Sequence, residues 1–189
     1  MDNNIFTAKR KSYIEVGEIF FWTATINNWQ RLLENDAYKN VIIESLEYLS
    51  NKGKIDVFAF VIMPNHIHLI WRINEKNGKN GKETSQGSFL KFTAHEFKKM
   101  LKKENNNKLD TYRVKAENKK YEFWQRDSLA VHLYSREVAY QKLDYIHSNP
   151  CTPHWALVVD PIDYPYSTAK FYLEGKKEFS FLKDLRNEL

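Results

Sequence analysis

Residues Ile55 to Met63 form a nearly continuous apolar run, closed by the turn-forming pair Pro64-Asn65 and followed by a second apolar run from His66 to Ile73. Each run has the length and composition of a strand, and the short Pro-Asn break between them predicts an antiparallel hairpin. Any fold for this chain has to accommodate that hairpin. The longest uninterrupted apolar stretch, Val57 to Met63, is seven residues, short of the roughly 20 that a membrane-spanning helix needs. The N-terminal residues show no apolar signal region. The expectation is a protein neither inserted in a membrane nor secreted. Its one cysteine, Cys151, cannot form an internal disulfide or a four-cysteine zinc site, so the expected compartment is the reducing cytoplasm.

The remaining elements fall in order around the hairpin. Ile19 to Ile26, rich in aromatic and β-branched residues, reads as a strand. Asp36 to Ser50 carries Ala37, Val41, Ile42, Leu46 and Leu49 at near-helical spacing and is stopped by Asn51-Lys52-Gly53, which predicts a first helix. Residues 74–87 contain Asn-Gly, Lys-Asn-Gly and Ser-Gln-Gly and read as a flexible insertion. Ser88 to Lys103 reads as a second helix, residues 105–121 as a polar irregular stretch, and Ser128 to Tyr134 as a short strand. Arg136 to about Asn149 reads as a third helix, with Ser135 as N-cap and Pro150 as stop. Residues 1–16 read as an irregular lead-in and residues 160–189 as a C-terminal tail.

A length of 189 residues suits a single domain. The element order predicts an α+β fold of the split βαβ kind, ferredoxin-like or RRM-like, with an antiparallel sheet, helices on one face and a further C-terminal helix. An RNA-recognition module of the same order would need a Gly-Phe-Gly-Phe type run on a central strand, and the sequence has none.

Charge is concentrated in one stretch. Between Lys76 and Arg126 there are 14 Lys/Arg and 6 Asp/Glu, a net +8, while the rest of the chain carries 15 against 18, a net −3. The stretch is either a polyanion-binding surface or a solvated lysine-rich face, and composition does not choose between them. On the second helix Lys91, Lys98, Lys99, Lys102 and Lys103 lie largely away from Phe89, Phe97 and Met100. With Arg126 they are the candidate nucleic-acid contacts.

Two histidines, His66 and His68, stand two apart in a strand, so their side chains leave on the same face, close enough to share a metal ion or simply to be hydrogen-bonded on a half-buried face. Tyr145 and Asn149 lie four apart on the third helix, flanking the core face formed by Ala139, Leu143 and Ile146. Read blandly, they are a packed tyrosine and a helix-ending asparagine. Beside a metal site, the tyrosine is instead a candidate nucleophile, because a cation polarises a phosphate and stabilises a phenolate.

Four strings, Met63-Pro64-Asn65-His66-Ile67-His68-Leu69-Ile70, Phe123-Trp124-Gln125-Arg126, Tyr145-Ile146-His147-Ser148-Asn149-Pro150 and Tyr164-Pro165-Tyr166-Ser167, carry a family resemblance. In order and spacing the chain resembles the single-tyrosine HUH transposases, and among them the REP-associated tyrosine transposases. The resemblance implies that His66 and His68 bind a divalent metal, Mg²⁺ or Mn²⁺, that Asn149 completes the site, and that Tyr145 attacks a phosphate of single-stranded DNA carrying a hairpin. It implies a 5′-phosphotyrosine intermediate, hence an endonuclease and strand transferase acting as monomer or homodimer. Two imidazoles and an amide oxygen suit Mn²⁺ at least as well as Mg²⁺.

The sequence departs from the family after Asn149-Pro150, where Cys151-Thr152-Pro153-His154 replaces a small apolar residue, a basic residue and Ala-Gly. Cys151 reads as a packed thiol. His95, His132, His147 and His154 match no ligand spacing and read as surface or core residues. Two other functions use the same residues, a rolling-circle replication initiator and a domesticated DNA-binding protein that keeps the fold without the chemistry.

Overall fold

The computed structural model describes residues 14–77, 83–104, 106–117, 119–126 and 128–188. In chain order the elements are β1 (Ile19–Thr25), α1 (Asp36–Asn51), β2 (Ile55–Ile62), β3 (His66–Ile73), β4 (Lys76–Asn77), β5 (Glu83–Thr84), α2 (Ser85–Glu104), α3 (Asn106–Asp110), β6 (Arg113–Ala116), β7 (Lys119–Tyr121), β8 (Leu129–His132), α4 (Arg136–Ser148) and α5 (Ala169–Glu174). The main sheet has the order β2-β3-β1-β8, and every neighbouring pair is antiparallel. This is the split βαβ topology expected from the element order.

The hairpin forms as read. Its turn is pinned from both sides, since the Leu33 N–H donates to the Pro64 carbonyl at 3.0 Å and the Ile26 N–H to the Asn65 carbonyl at 2.8 Å. Between Val57 and Ala59 the β2–β3 register shifts by a β-bulge. Phe58 and Ala59 consequently both join the core cluster on one face of the sheet, while Val57 and Phe60 join the cluster on the other. Beyond the bulge Val61 pairs with His68, and Val61 packs in the cluster that includes Leu143 and Ile146 of α4. The α4 side of the sheet is therefore the histidine side.

Two hydrophobic clusters sandwich the sheet. On one face α1 and α2 contribute Tyr38, Ile42, Leu46, Phe89, Phe97 and Leu101 to a core centred on Trp22 and Trp71, whose rings stack at 4.9 Å with Phe89 edge-on to Trp22 at 6.0 Å. Such aromatic pairs add about 0.5–1.5 kcal/mol each beyond simple burial. On the other face α4 buries Ala139, Leu143 and Ile146 against Phe21, Phe58 and Ile70. The α4 N-terminus is set by Ser135, whose hydroxyl accepts from the Val138 N–H at 3.3 Å.

Several sequence expectations need correcting. The second helix starts at Ser85 rather than Ser88, because the Thr84 hydroxyl accepts from the Gly87 N–H at 3.0 Å and caps it. Within the expected insertion, β4 and β5 pair as a small hairpin; residues 78–82 lie outside the described residues, as do residues 1–13 of the expected lead-in. The stretch 105–121 is not irregular. It holds α3 and the β6–β7 hairpin, docked where Tyr112 stacks on Phe123 at 4.7 Å. The expected tail is part of the fold, since Phe181, Leu182 and Leu185 are buried and the segment hydrogen-bonds the outer edge of β2, with Thr168 N–H donating to the Phe60 carbonyl and Lys183 N–H to that of Val57. Among the described residues no helix is long and apolar enough to cross a membrane.

Candidate active site

The register of β1 and β3 builds the site. Thr23 lies directly opposite His68, and Thr25 opposite His66. The two imidazoles are buried, with ring centroids 4.6 Å apart. Each is oriented through Nδ1: that of His66 meets the Asn65 side-chain oxygen at 2.7 Å, and that of His68 meets the Thr23 hydroxyl at 2.7 Å. An amide oxygen can only accept, so His66 carries its proton on Nδ1 and presents a lone pair at Nε2. Burial pushes His66 down to about 4, helped by the charge of His154. Burial also pushes His68 well below its ordinary value, with His66 and Lys142 adding to the effect. Both rings are therefore neutral at physiological pH, the form that binds a metal.

Across from them stands α4. The Tyr145 ring meets His68 edge-on at 5.2 Å and Phe21 at 6.0 Å. It remains 48% exposed, so its hydroxyl is open to a large ligand. The Lys142 ammonium, one turn earlier, stands over both the Phe21 and Tyr145 rings at 5.1 and 5.8 Å. Asn149, one turn after Tyr145, occupies the C-cap of α4. It is buried, yet its side-chain oxygen has no hydrogen-bond partner. Residues at i and i+4 share a helix face, so Asn149 lies on the same side of α4 as Tyr145.

The orphaned atoms test whether a metal fits. Four buried side-chain polar atoms among the described residues lack a partner, and two of them are His68 Nε2 and Asn149 Oδ1. A buried unpaired polar group costs about 1–3 kcal/mol, and both of these are metal-ligating atoms. Together with His66 Nε2 they are two imidazole nitrogens and an amide oxygen, donor types that a divalent cation accepts. Among the described residues no three His, Cys, Asp or Glu side chains gather to hold a metal; the third ligand here would be an amide.

The other sequence candidates lie elsewhere. Phe89 and Phe97 pack α2 onto the Trp22–Trp71 face, so Lys91, Lys98, Lys99, Lys102 and Lys103 stand on the side of the sheet remote from Tyr145. Lys98 lies over the Tyr121 ring at 5.3 Å, Lys99 pairs with Glu96 at 2.9 Å, Lys91 with Glu83 at 3.7 Å and Arg126 with Glu122 at 3.1 Å. His147 is buried against the Thr168 hydroxyl at 3.0 Å, His132 pairs with Glu18, and His95 is exposed. Cys151 is half-buried, and burial pushes its thiol up.

The departure after Pro150 still makes a turn. The Thr152 hydroxyl donates to the Asn149 carbonyl at 2.9 Å, and the Ala156 N–H to that of Thr152 at 2.8 Å. The turn brings the Trp155 ring within 5.7 Å of His66. Sequence reasoning missed Thr23, Phe21, Lys142 and Trp155, and treated Asn65 only as a turn residue. The alternation of β1 could have placed Thr23 and Phe21 on one face, but only the register shows which residue they meet.

A strand-borne histidine pair facing a helix-borne tyrosine, on a split βαβ sheet, is the arrangement that the fold and site define. Over 93% of its length the chain is similar to a solved structure, a REP-associated tyrosine transposase bound to a REP hairpin, of which 91% is covered, with a TM-score of 0.59 and 19% identity. At that identity the likeness is one of fold. No family model and no curated relative matches the sequence.

Proposed function

We propose that this chain is a DNA endonuclease and strand transferase of the single-tyrosine HUH kind, acting on single-stranded DNA that carries a hairpin. The observation that carries the reading is the half-exposed Tyr145 ring set against His68, whose Nε2 is buried and unpartnered. The fold likeness to a transposase bound to a hairpin supports it.

Tyr145 Oη attacks the scissile phosphorus. The Oη–P bond forms as the P–O3′ bond breaks, the phenolic proton passes to solvent, and the departing 3′ oxygen takes one up. The products are a 5′-phosphotyrosine and a free 3′-hydroxyl, and because the intermediate is still a phosphodiester, a 3′-hydroxyl can reverse the step without ATP. His66, His68 and Asn149 would hold a divalent cation, Mn²⁺ or Mg²⁺, which when bound polarises the phosphate for attack. Asn65 and Thr23 fix the two imidazoles, and the Lys142 ammonium places positive charge beside the nucleophile's ring, where the phosphate arrives.

The test is covalent capture. The protein is incubated with Mn²⁺ and hairpin-bearing single-stranded oligonucleotides, then run on a denaturing gel. The wild type is expected to form a protein–DNA adduct, and Tyr145→Phe to form none while binding DNA within a few-fold of the wild type. An adduct that persists in the Phe variant would remove Tyr145 from the mechanism. Tyr140, whose hydroxyl accepts from Arg136 at 3.3 Å, would then be the next candidate.

A further inference from the structure

Among the described residues, three non-glycine residues have positive φ, namely Asn28 at 53°, Trp29 at 55° and Ala156 at 45°. All three lie at or beside a tryptophan, Trp29 or Trp155. Asparagine tolerates the left-handed region, but a bulky residue there is strained. Trp29 gains nothing from burial in return, being 62% exposed. Strain of this kind persists only where the surroundings fix it, and it gathers at functional sites.

The fixing bonds lead to the candidate active site. The Trp29 N–H donates to the Ile26 carbonyl at 3.0 Å, and the Asn27 N–H to that of Phe123 at 2.7 Å. The Asn65 side-chain nitrogen donates to the Trp29 carbonyl at 3.3 Å, while the oxygen of the same amide holds His66 Nδ1. One side chain thus ties the strained loop to the first histidine. Two residues further on, the Arg31 guanidinium lies 5.7 Å over the Trp155 ring, and that ring lies 5.7 Å from His66. A guanidinium, itself paired with Glu34 at 2.9 Å, and an indole therefore border His66, and Asn65 ties to the same histidine the backbone of the loop that carries the exposed Trp29 indole. Flat aromatic faces beside a cation bind unpaired nucleobases by stacking and draw the adjoining phosphate.

We propose that Trp29, with Arg31 and Trp155, forms a stacking subsite for an unpaired nucleobase of the DNA strand that runs past Tyr145. The inference rests on the reading of the chain as a single-stranded DNA enzyme and adds to it a binding surface outside the metal and nucleophile positions. A base seated on Trp29 sets the strand against His66 through the shared Asn65 amide, so Trp29 is a positioning residue.

The test uses hairpin-bearing oligonucleotides with 2-aminopurine placed in turn at each unpaired position flanking the hairpin. With the wild type and with Trp29→Phe, one position is expected to be quenched by stacking. With Trp29→Asn the quench should be lost and affinity should fall about 5- to 100-fold. Asparagine accepts the left-handed backbone, so Trp29→Asn should keep or raise the Tm. A Trp29→Asn protein that binds and quenches as the wild type does overturns the proposal. So does one that loses affinity and Tm together while the quench remains, since that result assigns Trp29 a structural role. If no adduct forms with the wild type but the quench depends on Trp29, the subsite stands and the cleavage reading falls. If adducts form and the quench is indifferent to Trp29, the subsite falls alone.

Discussion

The imidazole of His68 is oriented by a hydroxyl 45 positions away in sequence, and this distance explains what single residues could reveal in advance. His66 and His68 share a face because strands alternate, and Tyr145 and Asn149 share one because helices repeat, so these pairings were legible from local spacing, while the roles proposed for them came from the family resemblance. Thr23, Phe21 and Lys142 were not, because their roles exist only once β1 is paired with β3 and α4 is laid over both. Trp29 was invisible for another reason, since nothing in the sequence marks a tryptophan that sits at positive φ. The orienting partners make a prediction. Thr23→Val or Asn65→Ala leaves the imidazoles in place but removes the group that fixes each ring, and should weaken Mn²⁺ binding roughly 10- to 100-fold, read by isothermal titration calorimetry. His66→Ala or His68→Ala should abolish both binding and cleavage, whereas Asn149→Ala should be milder because water can replace one oxygen ligand. Titration of Thr23→Val indistinguishable from the wild type would show that the hydroxyl does not tune the site.

At the scale of elements, α1, α2, α4 and the long strands were readable from periodicity, while the short α3, α5 and the β6–β7 hairpin were not. Arg113 to Ala116 alternates exposed and half-buried residues with no strong apolar signal, and the hairpin is held by contacts such as Tyr112 on Phe123. Sequence also could not say on which side of the sheet α2 would pack. That placement sharpens the role of its lysines. On the face remote from Tyr145, with Lys99 already paired to Glu96, any contribution they make falls on DNA affinity rather than chemistry. Replacing Lys98, Lys99, Lys102 and Lys103 together by Gln is expected to lower the salt slope of DNA binding by roughly 0.7 for each phosphate that the variant no longer neutralises. Adduct formation at saturating DNA should be unchanged. An unaltered slope in a folded variant would mean that the lysines only solvate the helix, and the DNA path would then have to follow the α4 side.

For the molecule as a whole, the element order was enough to predict the split βαβ sheet, but not that residues 160–188 close its open edge. The closure is electrostatic as well as apolar. Asp56 on β2 lies opposite Arg72 on β3 and receives its guanidinium at 2.5 and 3.0 Å. Lys183 from the C-terminal segment reaches the other carboxylate oxygen at 2.7 Å, and Arg72 also holds Glu188 at 2.8 Å. Burial pushes the Asp56 carboxyl up, but hydrogen bonds from Lys183, Arg72 and Asn74 outweigh burial and hold it below its ordinary value of 3.8. A carboxyl whose folded value is depressed contributes stability that is present above its unfolded value and is lost as pH falls through the folded one. Asp56→Asn keeps the shape and removes the charge, so at pH 7 it should cost about 1–3 kcal/mol. For a domain of this size, each kcal/mol corresponds to roughly 2–4 °C in Tm. Below about pH 4 the wild type starts to lose the same contribution by protonation and loses it fully only below the folded value, so the Tm gap between the two proteins should hold from pH 7 to about pH 4 and narrow as pH is lowered further. A gap that stays constant there too would show that the Asp56 charge does not fasten the C-terminal segment, leaving buried Phe181, Leu182 and Leu185 and the backbone hydrogen bonds to β2 to hold it.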